Sequence, residues 1–232
     1  MVNYAVDPAV LLPLIPRGTE PDTWEGCTYV SLVGFLFLRT TLMGVPVPFH
    51  RNFEELNLRF YVRRRGPDGV RRGVVFVKEI VPRRAIALTA RWFYNENYAT
   101  LPMRHRVEIS DAGIPFGEGR VEYAFGYPGN EGCLEARVSG PAAPIVSASE
   151  AEFITEHYWG YVSRRDGATT EYAVEHPRWD IYPVVPNSAS FSADIAAVYG
   201  ANWGEPLTRP PASAFVAEGS PILVRRGVRV TV

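Results

Sequence analysis

The sequence predicts an α+β protein, mostly antiparallel β, with a few short helices. Three observations carry that prediction. First, several stretches alternate apolar and polar residues with a period of two, as a half-buried strand does: "MRHRVEI" (103–109), "GRVEYAFGY" (119–127) and "CLEARVS" (133–139). Second, glycine-rich signals such as Gly66-Pro67-Asp68-Gly69, Asp111-Ala112-Gly113 and Gly129-Asn130-Glu131-Gly132 separate such runs and mark reversals. Third, the helix-like stretches are short and scattered, which places them on the flanks of a sheet.

The elements follow in chain order. Asp7-Pro8 before "AVLLPLI" reads as an N-cap with proline in the first turn, and the short helix stops near Pro16. "TYVSLVGFLFL" (28–38) is apolar and β-rich, hence a buried strand. "NLRFYVRR" (57–64) and "RRGVVFVKEIV" (71–81) form a hairpin around the Gly66–Gly69 turn. Residues 84 to 97 have helical spacing, and the three runs from 103 to 139 make a meander. Ser149-x-x-Glu152 is a capping box that opens a helix through "EFITEHYWGY". "TEYAVEHP" and "RWDIYPV" read as strands, "SADIAAVYG" as a small helix, and "SAFVAEGSPILVRRGVRVTV" as a closing hairpin. No internal repeat or low-complexity tract divides the chain, and the expectation is one domain over 1–232.

Composition excludes several classes of function. The net charge of -1 supplies no field toward nucleic acid or anionic lipid. No apolar run approaches the roughly 20 residues that span a bilayer. "AVLLPLI" follows no basic segment and is broken by Pro13, so it is not a signal peptide. Two cysteines, Cys27 and Cys133, lack metal-type spacing and fit free thiols in a reducing compartment, with a single disulfide between them as the alternative; the expected location is cytoplasmic. Glu156-His157 and Glu175-His176 are sequence neighbours, and neighbours point in different directions, so no metal is expected. No GxSxG elbow, GxGxxG or phosphate-binding loop is present, so no cofactor is expected. Of the 24 basic residues 23 are arginine, leaving Lys78 as the one lysine. Five arginines, Arg63, Arg64, Arg65, Arg71 and Arg72, gather at the first hairpin's tip and read as a solvated, edge-protecting loop.

Two places can carry chemistry. The end of the 84–97 segment is loaded with Tyr94, Asn95, Glu96, Asn97 and Tyr98, after Arg91. On the preceding strand Lys78 and Glu79 point to opposite faces, and a glutamate turned inward would be desolvated and suited to proton transfer. "HYWGY" adds His157 and Tyr158, large side chains with polar tips that line either a core or a pocket.

Together "YVSLVGF", "HRNFEELNLRFYVRR", "GVVFVKEIVPRRAIAL", "YNENY", "LPMRH", "FITEHYWGY" and "EYAVEHPRW" resemble the bacterial YqjF-like family of the acetoacetate decarboxylase-like superfamily. The resemblance implies a strongly curved antiparallel sheet or barrel with a central pocket. In the decarboxylases a lysine after an "AIAV"-type helix forms a Schiff base with a β-keto acid, and a second lysine lowers its pKa. Counting from "AIAL" (85–88), that place falls at Asn97 or Tyr98, neither an amine. The family's acidic residue has its counterpart in Glu54 or Glu55, its other strand glutamate is replaced near Ser31, and its upstream arginine would precede Met1.

The resemblance therefore implies a small-molecule pocket without the Schiff-base lysine. Candidate catalytic residues are Glu55 and Glu79; candidate ligand-binding residues are Arg91, Asn95, Glu96, Asn97, Tyr98, His157 and Tyr158. The expected partner is a small carboxylic acid or carbonyl compound, handled by proton transfer or hydrolysis. The alternative is a non-catalytic ligand-binding or sensing module. Exposed hairpin edges leave a homo-oligomer open.

Overall fold

The computed structural model describes residues 1–42, 45–46, 52–82, 97–109 and 119–230. The 84–97 helix, save Asn97, and the turn at Asp111–Gly113 lie outside these residues. The longer strands are β1 (Val2–Val6), β2 (Thr28–Phe37), β3 (Phe53–Gly66), β4 (Gly69–Val81), β5 (Tyr98–Thr100), β6 (Met103–Glu108) and β7 (Gly119–Tyr127). They continue with β8 (Asn130–Val138), β9 (Trp159–Ser163), β10 (Thr169–Glu175), β11 (Asp180–Pro183), β12 (Ser190–Ser192), β13 (Ser213–Ala217) and β14 (Val228–Val230). Helices are single turns: α1 (Pro8–Leu11), α2 (Glu150–Thr155), α3 (Ile195–Tyr199) and α4 (Gly204–Thr208).

The large sheet has the order β11-β13-β1-β2-β3-β4-β9-β10 through its middle, with β14 on β10 and β5 beside the end of β4. Its path runs from Ala143–Pro144 to Leu223–Val224 and does not return on itself, so it is an open sheet rather than a barrel. Nearly all pairings are antiparallel; β4 pairs in parallel with β9 at one end and with β5 at the other. A second sheet, β12-β8-β7-β6, packs across the first. The contact is close: a Cβ added at Gly34 would sit 2.5 Å from a ring carbon of Tyr123, so only glycine fits there.

The β3–β4 hairpin forms as expected around its Gly66–Gly69 turn and is the longest pairing. One face of β3 makes the main core: Leu56, Leu58 and Phe60 are wholly buried with Leu32 and Ile80. Tyr199 and Leu207, from α3 and α4, pack on this side. Full burial of such a side chain contributes about 1.5–3 kcal/mol.

Local signals hold where a cap is readable. Asp7 accepts the N–H of Ala9, Ser149 that of Glu152, and Asp194 that of Ala197. In the capping box Glu152 reaches the N–H of Ala148, one residue before the cap. The α2 helix is shorter than expected and ends at Thr155; Trp159, Tyr161 and Val162 favour a strand and form β9 instead. The closing hairpin does not form. β13 pairs with β1 and β11, whereas Leu223–Val224 and β14 pair with β10, across the sheet. A turn signal such as Glu218-Gly219-Ser220 marks a reversal without choosing the partner strand.

The arginines at the hairpin tip are also not simply solvated. Arg63 pairs with Glu20, Arg72 with Asp22, and Arg64 and Arg71 with Glu171. No helix among the described residues is long and apolar enough to cross a membrane.

Candidate functional site

Alternation along β3 builds the site. The residues between Leu56, Leu58 and Phe60 are Glu55, Asn57, Arg59 and Tyr61, and a strand sends these to the opposite face. That face is buried too: Glu55 is 2 % exposed, Asn57 1 % and Tyr61 1 %. A strand apolar on one face and ionisable on its equally buried other face is unusual, because burying polar groups costs free energy unless they are hydrogen-bonded or paired.

A β-bulge decides what β4 adds. Leu58 lies opposite Lys78 and Arg59 opposite Phe76, so Val77 is an extra residue with no opposite number. Strict alternation from Phe76 would put Lys78 on the polar face. The bulge inverts that: Glu79, 2 % exposed, lies directly across from Asn57, and Lys78 turns to the apolar side. There its Nζ donates to the Val198 carbonyl of α3, and burial lowers its pKa. The chain's one lysine is thus on the other side of the sheet from Glu55 and Glu79.

On the polar face Asn57 Nδ2 donates to Glu55 Oε1 at 3.2 Å. The amide nitrogen thus faces Glu55 and Asn57 Oδ1 points away. That oxygen is buried with no hydrogen-bond partner among the described residues. Tyr98 is Glu79's neighbour in the parallel pairing and packs with Phe53 and Val81. Asn97 carries the chain into that pairing: its carbonyl accepts the Glu79 N–H at 3.0 Å, while its exposed side chain donates to the Val77 carbonyl. Tyr98, a phenol, therefore adjoins Glu79 where the chain enters this pairing.

Arg59 lies two residues from Asn57. Its Nη2 donates to the Ile154 carbonyl at 3.3 Å, its guanidinium lies 5.6 Å from the Tyr61 ring centre, and its Nε is buried without a partner among the described residues. Beyond it runs a chain of hydroxyl and amide bonds. Ser31 donates to Asn3 Oδ1 at 2.6 Å, so the 2.6 Å contact with Tyr61 is a donation from the phenol to Ser31. Asn57, Arg59 and Tyr61 were missed as site residues; a period-two reading of 57–64 puts them on one face, but points to a site only once both faces of β3 are known to be covered.

His157 extends the same face. Its ring packs 4.6 Å from the Tyr61 centroid and 5.2 Å from Phe153, and Nε2 contacts Asp22 Oδ2 at 3.1 Å. Nδ1 is buried without a partner among the described residues. Burial pushes its pKa down to about 4 against the pull of Asp22, so the imidazole is neutral at pH 7. Tyr158 turns elsewhere: its hydroxyl donates to Glu156 and its ring stacks on His176. The structure thus brings Glu55, Glu79 and Tyr98 together, places His157 further along that face, and leaves Tyr158 outside it. Arg91, Asn95 and Glu96 lie outside the described residues. Glu54 faces away from Glu55 and contacts His105 at 2.7 Å.

A cluster that sequence spacing did not reveal lies on the second sheet, where Glu122, Cys133 and Glu135 converge. Arg120 contacts both carboxylates, at 2.9 and 2.8 Å, and supplies their positive charge. Both cysteines are free thiols.

A family model described as DUF2071, an uncharacterized conserved protein, matches residues 1–221. The chain belongs to the DUF2071 family. Within reach of this DUF2071 protein by sequence is the uncharacterized protein YqjF of Bacillus subtilis (strain 168), 27 % identical over 178 residues, or 75 % of this chain and 69 % of that one. Solved structures share the fold at low identity. The enduracididine biosynthesis enzyme MppR with HEPES bound has a TM-score of 0.69 at 13 % identity, covering 99 % of this chain and 84 % of that one. MppR complexed with pyruvate scores 0.57 at 14 % identity, over 98 % and 81 % of the two chains. The acetoacetate decarboxylase of Legionella pneumophila scores 0.60 at 12 % identity, over 99 % and 83 %. The acetoacetate decarboxylase-like fold is therefore the fold of this DUF2071 chain.

Proposed function

We propose that the protein binds a small carboxylic acid or carbonyl compound on the polar face of β3, β4 and β5, and acts on it without a lysine imine. The observation that carries this reading is the burial of Glu55, Asn57 and Glu79 on one sheet face, opposite the face that carries the core residues Leu56, Leu58, Phe60 and Ile80. Two carboxyl groups, one amide and the Arg59 guanidinium then serve the ligand. Arg59 holds its anionic end, as charge-assisted hydrogen bonds to a carboxylate do well in a dry site. Glu55 or Glu79 takes a proton from the carbon beside a carbonyl, or from water, and returns it. The bulge at Val77 removes Lys78 from this chemistry. That MppR is solved with pyruvate supports a small oxo acid as the ligand class.

The test has two parts. Borohydride treatment with acetoacetate or pyruvate is expected to leave no lysine adduct by mass spectrometry; an adduct on Lys78 would overturn the imine-free reading. A panel of small acids is expected to raise the melting temperature. Turnover of a bound acid should fall at least a hundredfold in Glu55→Gln or Glu79→Gln, the loss of a general acid–base group. Binding retained in these variants, with no turnover by the wild type, would make the protein a sensing module.

A further inference from the structure

Two buried polar atoms on the β3 face lack partners among the described residues, and they differ in kind. Asn57 Oδ1 is an acceptor and Arg59 Nε a cationic donor. They are two residues apart on one strand, about 7 Å along the backbone, with side chains on the same face. Turning the amide over would break the Asn57 Nδ2 donation to Glu55 Oε1. A buried acceptor without a donor is unfavourable, and buried polar atoms in folded proteins are nearly always satisfied.

We propose that the ligand supplies both missing partners: a carboxylate for Arg59 and, beside it, a hydroxyl that donates to Asn57 Oδ1. This rests on the reading of the β3 face as an acid-binding site and narrows it to small hydroxy acids, or to oxo acids bound as their enols. A plain carboxylic acid satisfies Arg59 and leaves Asn57 Oδ1 bare. An oxo acid in its keto form does worse, since its carbonyl oxygen faces another acceptor. Asn57 is thereby a specificity-determining residue, and Arg59 supplies general affinity for acids.

Matched ligand pairs test this: 3-hydroxybutyrate against butyrate and lactate against propionate, by calorimetry on the full chain. In at least one pair the hydroxy acid is expected to bind about tenfold more tightly or better, the effect of satisfying one buried acceptor. Asn57→Leu is expected to abolish that preference while plain acids still bind; Arg59→Met is expected to weaken both members. Acids that bind with no hydroxyl preference in either pair would overturn the inference and leave the acid-binding reading standing. No binding of any acid would overturn both. The wild-type panel decides the matter even if Asn57→Leu fails to fold.

Discussion

Glu171→Gln is expected to destabilise the folded protein by about 3–5 kcal/mol, as removal of one partner from a buried ion pair does. Glu171 has 3 % of its side chain exposed and receives two guanidiniums, from Arg64 and Arg71, each only 17 % exposed. Those arginines are directly opposite one another in the β3–β4 pairing, where like charges repel. Arg71 also lies 4.1 Å over the Trp159 ring and contacts Asp68, so it stays in place when Glu171 is neutralised. The result is two cations facing each other in a half-dry setting. Urea denaturation at neutral pH measures the loss. Adding Arg64→Met to Glu171→Gln should recover part of it. A loss under about 1 kcal/mol would mean the three side chains act as a surface pair does.

Acidification is expected to be the second large effect. His157 titrates near 4 in the folded state, against about 6.5 for a free imidazole, because burial disfavours its charged form. The unfolded chain therefore binds a proton between these values that the folded chain does not. Stability contributed by the neutral imidazole is fully present above about pH 6.5 and is lost as pH falls toward 4. The slope is about 1.4 kcal/mol per unit and the total roughly 3 kcal/mol. Asp22 acts in the same direction at lower pH. Burial alone would raise its pKa, but the hydrogen bonds from His157 and Arg72 hold it below the ordinary value, so its contribution disappears in stronger acid. Denaturation midpoints measured from pH 7 to 4 should fall in the wild type and flatten in His157→Gln. An equal slope in both would contradict the placement of His157.

Much of the fold was legible because period-two alternation and turn residues are local properties. The β3–β4 hairpin, the meander and the three capped helices follow from neighbours within a few residues. The partner of β13 did not, since nothing in "SAFVAEGSPILV" distinguishes a hairpin from two strands sent to opposite parts of a sheet. The same division runs through the site. Glu79 was readable as a strand carboxylate that could face inward, whereas Glu55 entered only through the family resemblance, as one of Glu54 and Glu55. Which of Lys78 and Glu79 does so depends on one bulged residue, Val77, that alternation cannot supply. Asn57 and Tyr61 escaped notice, and Arg59 was read only as a possible structural partner of Glu79, because a polar residue every second position is what a solvent-facing strand shows as well. Only burial of both faces distinguishes the two cases.

The central claim is that the polar face of β3 is a ligand site rather than a polar core. Backbone amide NMR on the isotope-labelled chain, titrated with 3-hydroxybutyrate and lactate, tests it most directly. The largest shifts are predicted at Glu55 to Tyr61 and at Glu79 and Tyr98. Shifts confined to the arginines of the hairpin tip, or no shifts at all, would contradict it.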